Sequence, residues 1–344
     1  MRRLLALAAV AFVVAAACSS APDEIVLLTH DSFLVSDEVL AAFEAESGVA
    51  VRVLTAGDAG QLVSQAILTK DSPTADVIYG IDNTFLSRAL EEDLFRPHQA
   101  EGLETVPATL KLDEQNRVTP VDYGDVCVNF DIAELEERGV PVPQSLADLT
   151  DPAYRGMLVA ENPSSASPGL AFLMATIATF GEDGEYTWQD YWADLIANDV
   201  LITDDWTQAY TVEFSGGSPD GDRPLVVSYA SSPPAGVFFS DPQPAEAPTG
   251  SMLDGCFRQI EFAGILEGTR YPAEAEHLVD FMLSTTFQED MPLNMFVFPA
   301  NSDAELPDLF TEFAQIPPEP VTLSPSAIAE NRDRWINEWF EIVR

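Results

Sequence analysis

The sequence predicts an α/β protein whose two lobes are joined by two long strands, with a ligand cleft between the lobes. Apolar strand patterns alternate with amphipathic helix patterns over residues 24–91, which is typical of a parallel sheet with right-handed crossovers. Two long apolar strand candidates, Val118–Phe130 and Gly255–Leu266, divide the chain into blocks. The chain has 344 residues, which is more than one small core needs. Clefts between such lobes are common ligand sites.

The first block contains three strand patterns, each followed by a helix pattern. The predicted elements are, in order, a strand at Glu24–Thr29, a helix from Ser36 to Gly48, a strand at Val49–Leu54, a helix at Gln61–Lys70, a strand at Asp76–Gly80 and a helix at Thr84–Glu91. Glycine commonly ends a helix, as Gly48 is expected to do here. Asp31, Asp58 and Asp82 follow the three strands, at the sheet edge where ligands bind in α/β proteins.

The later blocks continue the alternation with longer connections. The predicted elements are a helix at Ile132–Arg138, a short helix after Ser145, a turn and strand at Tyr154–Ala160, a helix from Gly169, a helix at Trp188–Ile196, a strand at Leu225–Ser228, a helix at Pro272–Ser284 and a closing helix at Ser324–Val343. The acidic, Gly-rich residues 215–222 predict a turn. The segment Pro233–Pro248 is predicted to lack regular structure because it is rich in proline.

The segment Thr203–Pro233 carries the clearest functional pattern. Trp206 and Tyr210 have the i,i+4 spacing of neighbours on a helix. A short apolar strand then ends in an aromatic and small hydroxyl residues, namely Tyr229, Ala230, Ser231 and Ser232. We interpret the segment as one wall of a pocket for a small, flat, cationic molecule, because ligands bind at such strand ends. The alternative is that Trp206 and Tyr210 are core residues of a helix.

Composition and missing motifs exclude several functional classes. The formal charge is -41, and no basic patch suited to nucleic acid is visible. The three histidines, His30, His98 and His277, form no zinc motif. Phosphate-binding loops and nucleophile elbows are also absent from the sequence. We therefore expect a protein that is not an enzyme and that needs neither a metal nor another cofactor.

Residues 1–17 resemble the signal peptide of a bacterial lipoprotein. Arg2 and Arg3 precede an apolar run that is shorter than a membrane span, and small residues lead to Cys18. This pattern predicts lipidation of Cys18 and an extracytoplasmic, membrane-anchored protein. The alternative is an ordinary cleaved signal in which Cys18 is incidental.

The mature chain retains two cysteines, Cys127 and Cys256, each in one of the long strand candidates. An exported protein with an even number of cysteines commonly forms disulfides. We therefore predict a disulfide that links the two crossover strands. The alternative is two separate buried thiols.

A series of short motifs resembles the thiamine-binding solute-binding proteins of bacterial ABC importers. The motifs are DSF at 31–33, ADVIYGIDN at 75–83, VPVPQSL at 140–146, SPGL at 167–170, WTQAY at 206–210, SYASSP at 228–233 and RWINEW at 334–339. Their order and spacing match over nearly the whole mature chain, although each motif alone is weak. Relatives of this family bind iron, polyamines and other small solutes.

The resemblance implies a type II periplasmic-binding-protein fold with the ligand between its lobes. Lobe 1 would comprise residues 18–122 and 256–300, and lobe 2 residues 123–255 and 301–344. The positions that match the family's ligand contacts are Asp58, Ala59, Ala166, Ser167, Trp206 and Tyr229 to Ser232. We add Tyr210 and Asp31 as neighbouring wall residues. Two positions depart from the family pattern, since His30 and Phe296 stand where other aromatic residues are usual.

The function implied is an anchored, monomeric receptor that captures thiamine or a thiamine phosphate and delivers it to an ABC-transporter permease. An aromatic face and a desolvated carboxylate suit a thiazolium cation. A receptor of the same fold for ferric iron, a polyamine or another small cation is the first alternative. A thiamine-processing enzyme is the second, and it would need a nucleophilic cysteine.

Overall fold

The computed structural model describes residues 22–344. The predicted signal peptide and Cys18 lie outside this range. Within it, no helix is both long enough and apolar enough to span a membrane.

A nine-stranded mixed sheet runs through the described residues. Its strands are β1 (Glu24–Thr29), β2 (Ala50–Thr55), β3 (Val77–Asp82), β4 (Thr119–Asp131), β5 (Leu158–Glu161), β6 (Leu201–Thr203), β7 (Leu225–Tyr229), β8 (Thr249–Ile265) and β9 (Phe298–Pro299). They are ordered β2-β1-β3-β8-β4-β7-β5-β6, with β9 beside β4.

Helices cover both halves of this sheet. They are α1 (Asp37–Ser47), α2 (Ala59–Leu68), α3 (Leu86–Glu91), α4 (Ile132–Arg138), α5 (Ser167–Phe180), α6 (Trp188–Ala197), α7 (Trp206–Gln208), α8 (Pro233–Phe238), α9 (Pro272–Met282), α10 (Thr285–Gln288), α11 (Met291–Asn294), α12 (Asp308–Phe313) and α13 (Pro325–Val343). Short 3-10 turns occur at Leu103–Thr105, Ala108–Leu110, Leu146–Thr150 and Pro152–Tyr154, and a π-helical turn at Ala209–Glu213 follows α7.

Local sequence signals explain the helix ends that were predicted most accurately. The Ser36 side chain accepts a hydrogen bond from the Val39 backbone and so caps α1. Gly48 closes the same helix at φ 74°, a left-handed conformation that glycine adopts without steric cost. Ser324 caps α13 in the same way, with Pro325 in its first turn.

Two parallel units are joined by two long antiparallel strands, and this gives the molecule its two lobes. In the first unit β1 pairs in parallel with both β2 and β3. In the second unit β5 pairs in parallel with both β6 and β7. The strands β4 and β8 run antiparallel to each other between the units, and their register extends from Thr119 opposite Ala263 to Asp131 opposite Thr249. The fold class predicted from the sequence is therefore confirmed.

The two crossover strands carry the predicted disulfide. Cys127 in β4 and Cys256 in β8 are joined, and their Cα atoms lie 4.4 Å apart. The β4–β8 register shifts between Val126 and Val128, so the bond lies at an irregularity of the pairing. Both cysteines are buried and pack against Ala230. The alternative of two separate thiols does not describe this structure.

Two predictions about elements are wrong or incomplete. The proline-rich segment begins with helix α8, because Pro233 and Pro234 stand in the first turn, where a missing N–H group costs nothing. Strand β8 begins at Thr249, six residues before the predicted start at Gly255. Gly255 itself lies inside the strand, at φ 68°.

Candidate functional site

A cavity of about 890 Å³ lies between the two halves of the sheet. The first unit contributes the loop after β1, the end of the β2–α2 loop and the loop after α11. The second unit contributes the starts of α5 and α7, the end of β7, the turn at residues 215–219 and helix α8. Protein sites for small molecules commonly have volumes of this size.

The structure brings most of the predicted site residues to this one cavity. Those that line it are His30, Asp31, Asp58, Ser167, Trp206, Tyr210, Tyr229, Ser232 and Phe296. Those that do not line it are Ala59, Ala166, Ala230 and Ser231, all of which are buried next to lining residues. These four residues therefore lie behind the residues that line the cavity.

Trp206 and Tyr210 form a stacked pair on the wall of the cavity. Their ring centroids are 5.0 Å apart and the ring planes meet at 21°. The Trp206 indole N–H donates a 3.0 Å hydrogen bond to the Ser228 hydroxyl, which fixes the ring against β7. Tyr210 is only 8% exposed and also packs on Phe214. Tyr210 is thus both a core residue and a wall residue, whereas Trp206 keeps a partly exposed face.

Asp58 links the starts of three helices across the cleft. Its Oδ1 accepts hydrogen bonds from the backbone N–H groups of Ala59 at 2.7 Å and Ser167 at 3.1 Å. Its Oδ2 accepts a longer one, of 3.4 Å, from Trp206. Burial raises the pKa of Asp58 to about 6, although these backbone donors and His30 oppose the rise. The carboxyl group therefore titrates close to neutral pH and lies on the cavity wall.

The end of β7 supplies hydroxyl groups and one aromatic ring. The hydroxyls of Ser228 and Ser232 lie 3.1 Å apart, so each can donate to the other. The Tyr229 hydroxyl donates to Gln259 of β8 at 3.2 Å. Gly124 of β4 leaves room for the Tyr229 ring, because a Cβ atom at that position would lie 2.8 Å from it. The ring is therefore held over the crossover strands.

A buried polar network forms the floor of the cavity. Glu261 of β8 is 6% exposed and lines the cavity, and Gln259 donates to it at 3.3 Å. The Tyr79 hydroxyl contacts Asp122 Oδ2 at 2.6 Å and Glu261 Oε2 at 3.0 Å. The His30 ring lies beside this group, with Nε2 3.7 Å from Glu261 Oε2.

Charge in this floor is divided unequally between its two acids. Burial, and after it the charge of the neighbouring Glu261, raises the pKa of Asp122 well above its ordinary value. Burial opposes ionisation of Glu261 as well, but His30 and hydrogen bonds from Tyr79 and Asp122 lower its pKa below the usual range. Of the two acids, Glu261 therefore ionises more readily, and it is the one that lines the cavity.

Aromatic side chains surround the cavity mouth. Phe296 lies on the loop after α11, in a left-handed conformation at φ 54°. Its ring centroid is 6.1 Å from that of Phe238 and 5.8 Å from that of Phe239, which lie at the end of α8. Phe239 is 72% exposed. An apolar contact thus spans the mouth between residues far apart in the chain.

The charged residues of the lining are mostly acidic. Asp31, Asp58 and Glu261 line the cavity, and His30 is the one basic residue among the lining residues in the described part of the chain. Over residues 22–344, no group of three or more His, Cys, Asp or Glu side chains is arranged to hold a metal ion. The lining thus combines carboxyl groups with aromatic faces.

Sequence reasoning missed several lining residues, and for some a signal existed. Gln259 and Glu261 are polar residues two positions apart in an apolar strand, so they share one face of that strand. That spacing could have identified Glu261. Gly216 and Gly217 were interpreted only as part of a turn, yet that turn lines the cavity. No local pattern marks Phe239 or Met295 as lining residues.

Comparison with known proteins agrees with this fold. A family model described as "Bacterial extracellular solute-binding protein" matches residues 72–219. The thiamine-binding periplasmic protein of Salmonella typhimurium is 27% identical over 333 residues, which is 95% of this chain and 96% of that protein. A solved "Periplasmic thiamin binding protein" superimposes with a TM-score of 0.81 at 25% identity, over 93% of this chain and 96% of that one.

A more distant structure shows that the fold is shared with receptors for other solutes. The ferric binding protein from Campylobacter jejuni has a TM-score of 0.73 at 19% identity, over 92% of this chain and 99% of that one. A likeness at that identity supports the fold alone. The chain thus has the type II periplasmic-binding-protein fold, and over nearly its whole length it is similar to periplasmic solute-binding proteins.

Proposed function

We propose that this protein captures thiamine, or a thiamine phosphate, and delivers it to the permease of an ABC importer. The observation that carries the proposal is the lining of the cavity, which combines the Trp206–Tyr210 stack with the carboxyl groups of Asp58 and Glu261. Thiamine has a permanently positive thiazolium ring and a flat aminopyrimidine. A cation that lies on an aromatic face gains about 0.5–2 kcal/mol, and carboxylates add charge-assisted contacts.

The ligand positions transferred from the family support the same ligand. Asp58, Ser167, Trp206 and Tyr229 all line the cavity, and they come from four separate segments of the chain. The relatives that are named thiamine-binding periplasmic proteins align with this chain over nearly their full length. The lining favours thiamine over its phosphates, because a phosphate would meet three acids and no lysine or arginine among the lining residues of the described chain.

Lobe closure around the ligand is part of the proposal. We place the lobe boundaries at residues 18–122 with 256–300 and at 123–255 with 301–344, so that β4 and β8 form the hinge. Contacts across the cleft already exist at one side, where Gly60 donates to the Ser165 carbonyl at 2.9 Å and the Ser167 hydroxyl bonds to Asp82. Small-angle scattering with and without thiamine would test closure, and an unchanged radius of gyration would count against it.

We further propose that Cys18 is lipidated and holds the protein at the outer face of the cell membrane as a monomer. The basic residues, apolar run and small residues before Cys18 support this. Mass spectrometry of the purified membrane-bound protein tests it. A mature chain that begins at an unmodified residue would remove the anchor from the proposal and leave ligand capture intact.

A thermal-shift screen tests the ligand against its alternatives. The panel contains thiamine, thiamine phosphates, ferric citrate and polyamines. A ligand at 100 times its Kd stabilises the folded state by about 2.7 kcal/mol, which raises the melting temperature by several degrees. We expect thiamine to give the largest shift. A shift with ferric citrate or a polyamine alone would favour a receptor of the same fold for another solute.

A further inference from the structure

His30 and Glu261 form a pair of unlike polar groups on the cavity floor. Nε2 of His30 lies 3.7 Å from Oε2 of Glu261, which is too long for a hydrogen bond. Both residues line the cavity, and they are 7% and 6% exposed. His30 Nε2 has no hydrogen-bond partner within the described residues. A buried polar atom without a partner is costly, so a group supplied from outside the protein would stabilise it.

The surrounding residues hold each member of the pair in place. A Cβ atom at position 80 would lie 2.1 Å from Cδ2 of His30, so the glycine at this position, with φ 94°, makes room for the imidazole. The His30 and Tyr79 rings lie 5.7 Å apart. Glu261 is held in place by Tyr79 and Gln259, whose side chains donate hydrogen bonds to its two carboxyl oxygens. The pair is therefore preorganised in the absence of a ligand.

The pair presents one donor and one acceptor side by side. Burial alone would lower the pKa of His30, but the nearby charge of Glu261, with smaller effects of Asp58 and Asp31, raises it above its ordinary value. His30 is therefore suited to donate from Nε2, and the Glu261 carboxylate accepts. An amino group next to an unprotonated ring nitrogen offers the complementary pattern, since the amino group donates and the ring nitrogen accepts.

We propose that His30 and Glu261 together recognise the amino–ring-nitrogen edge of the ligand's aminopyrimidine. This assignment rests on the proposed function. It adds the identity of the residues that recognise the uncharged aminopyrimidine end of the ligand. The Glu261 carboxylate accepts from the amino group, and the His30 imidazole donates to the adjacent ring nitrogen. The aromatic pair Trp206–Tyr210 and Asp58 then remain for the cationic ring. Recognition by a buried donor and acceptor rejects analogues that reverse the pattern.

Two analogues separate the two ends of the ligand. Oxythiamine replaces the amino group with an oxygen and places a hydrogen on the neighbouring ring nitrogen, which reverses donor and acceptor. Pyrithiamine keeps the aminopyrimidine and replaces the thiazolium ring with a pyridinium ring. Isothermal titration calorimetry of the intact protein with each compound measures recognition of the aminopyrimidine and recognition of the cationic ring separately. We expect pyrithiamine to bind within a factor of about three of thiamine and oxythiamine to bind at least tenfold more weakly.

Variants assign the discrimination to the pair. Glu261→Gln keeps the size of the side chain and adds an amide that can donate to the oxo group. We expect thiamine binding to weaken about tenfold and the preference over oxythiamine to disappear. His30→Phe replaces the imidazole donor with an aromatic ring that cannot donate. We expect this variant to reduce the preference for thiamine over oxythiamine several-fold. His277→Phe is the matched control, because His277 pairs with Glu46 at the exposed surface and does not line the cavity.

The outcomes distinguish this assignment from the function on which it rests. Equal affinity of the unmodified protein for thiamine and oxythiamine overturns the assignment and leaves the proposed function standing. Retention of the full preference in His30→Phe also overturns it. Absence of binding by both thiamine and pyrithiamine overturns the proposed function together with the assignment.

Discussion

Trp206 is the residue at which the sequence left two interpretations open. Its indole lines the cavity and donates to Ser228, while its stacking partner Tyr210 belongs to a small apolar cluster with Phe214. The cavity-wall interpretation thus applies to Trp206, and the core interpretation applies in part to Tyr210. Spacing alone could not separate them, because a cavity wall and a core use the same aromatic residues at the same helical intervals.

Replacement of Trp206 by alanine should damage binding more than folding. The stack on the ligand would be lost, so we expect thiamine to bind at least tenfold more weakly, or about 1.4 kcal/mol. Trp192→Ala is the control, because Trp192 is fully buried and donates to Thr176. A buried aromatic residue changed to alanine costs about 3–5 kcal/mol of unfolding free energy. Unchanged binding in Trp206→Ala, with a melting temperature as low as that of Trp192→Ala, would assign Trp206 to the core.

The pKa of Asp58 predicts that ligand affinity depends on pH. Burial raises this pKa to about 6, so the carboxyl group is mostly neutral at pH 5 and mostly ionised at pH 7. We expect the affinity for thiamine to rise up to about tenfold between these values. Titrations at pH 5, 6 and 7 measure it, and Asp58→Asn should flatten the profile at the weaker affinity.

The same pKa has the opposite effect on stability. Because the folded protein holds the proton of Asp58 more tightly than the unfolded chain does, the contribution of Asp58 to stability is greatest at low pH and is lost as pH rises toward 6. Binding and stability therefore respond to this group in opposite directions. A profile in which affinity falls from pH 5 to pH 7 would be inconsistent with a carboxylate that attracts the ligand.

At the scale of elements, the predictions succeeded where local chemistry decides the outcome. Ser36 with Gly48 and Ser324 with Pro325 define the ends of α1 and α13 within a residue. The proline content of Pro233–Pro248 predicts no regular structure, yet α8 begins there, because proline is favoured in a first helical turn even though it breaks helix interiors. Helix caps and strand patterns are local, whereas the position of α8 over the cavity depends on contacts with distant segments.

The disulfide between β4 and β8 should contribute measurably to stability. It closes a loop with a sequence separation of 129 residues. The chain-entropy model gives an upper figure of about 4–5 kcal/mol for a loop of this length. Urea unfolding of the double variant Cys127→Ala/Cys256→Ala, compared with the parent under non-reducing conditions, measures the loss.

The position of the disulfide predicts that ligand binding survives its removal. Neither cysteine lines the cavity, and both pack against Ala230 behind its wall. We therefore expect thiamine affinity to change less than threefold in the double variant, as long as it is measured below the new melting temperature. Two reactive thiols in the denatured, unreduced parent protein would show that the bond does not form.

At the scale of the whole molecule, the alternating strand and helix patterns of residues 24–91 predicted the first parallel unit, because that unit is built from neighbouring segments. The second parallel unit was not predicted, and its strand β6 has no counterpart among the predicted elements. The cavity lining is different in kind. It joins His30, Trp206, Glu261 and Phe296, which come from four distant parts of the chain. Only the resemblance to a known family connected some of these positions beforehand. Glu261 and the contact of Phe296 with Phe238 and Phe239 emerged from the assembled structure.

Direct titration of the purified mature protein with thiamine, followed by calorimetry, tests the central claim that this cavity is a thiamine site. We predict one ligand per chain and a Kd of about 1 μM or tighter, which corresponds to about -8 kcal/mol. Ligand-dependent quenching of tryptophan fluorescence should follow the same curve, because Trp206 lines the cavity. Thiamine at about 1 mM should reveal even a weak Kd in that range. The proposal would be contradicted if thiamine at this concentration gave neither heat nor a fluorescence change, while ferric citrate or a polyamine bound stoichiometrically.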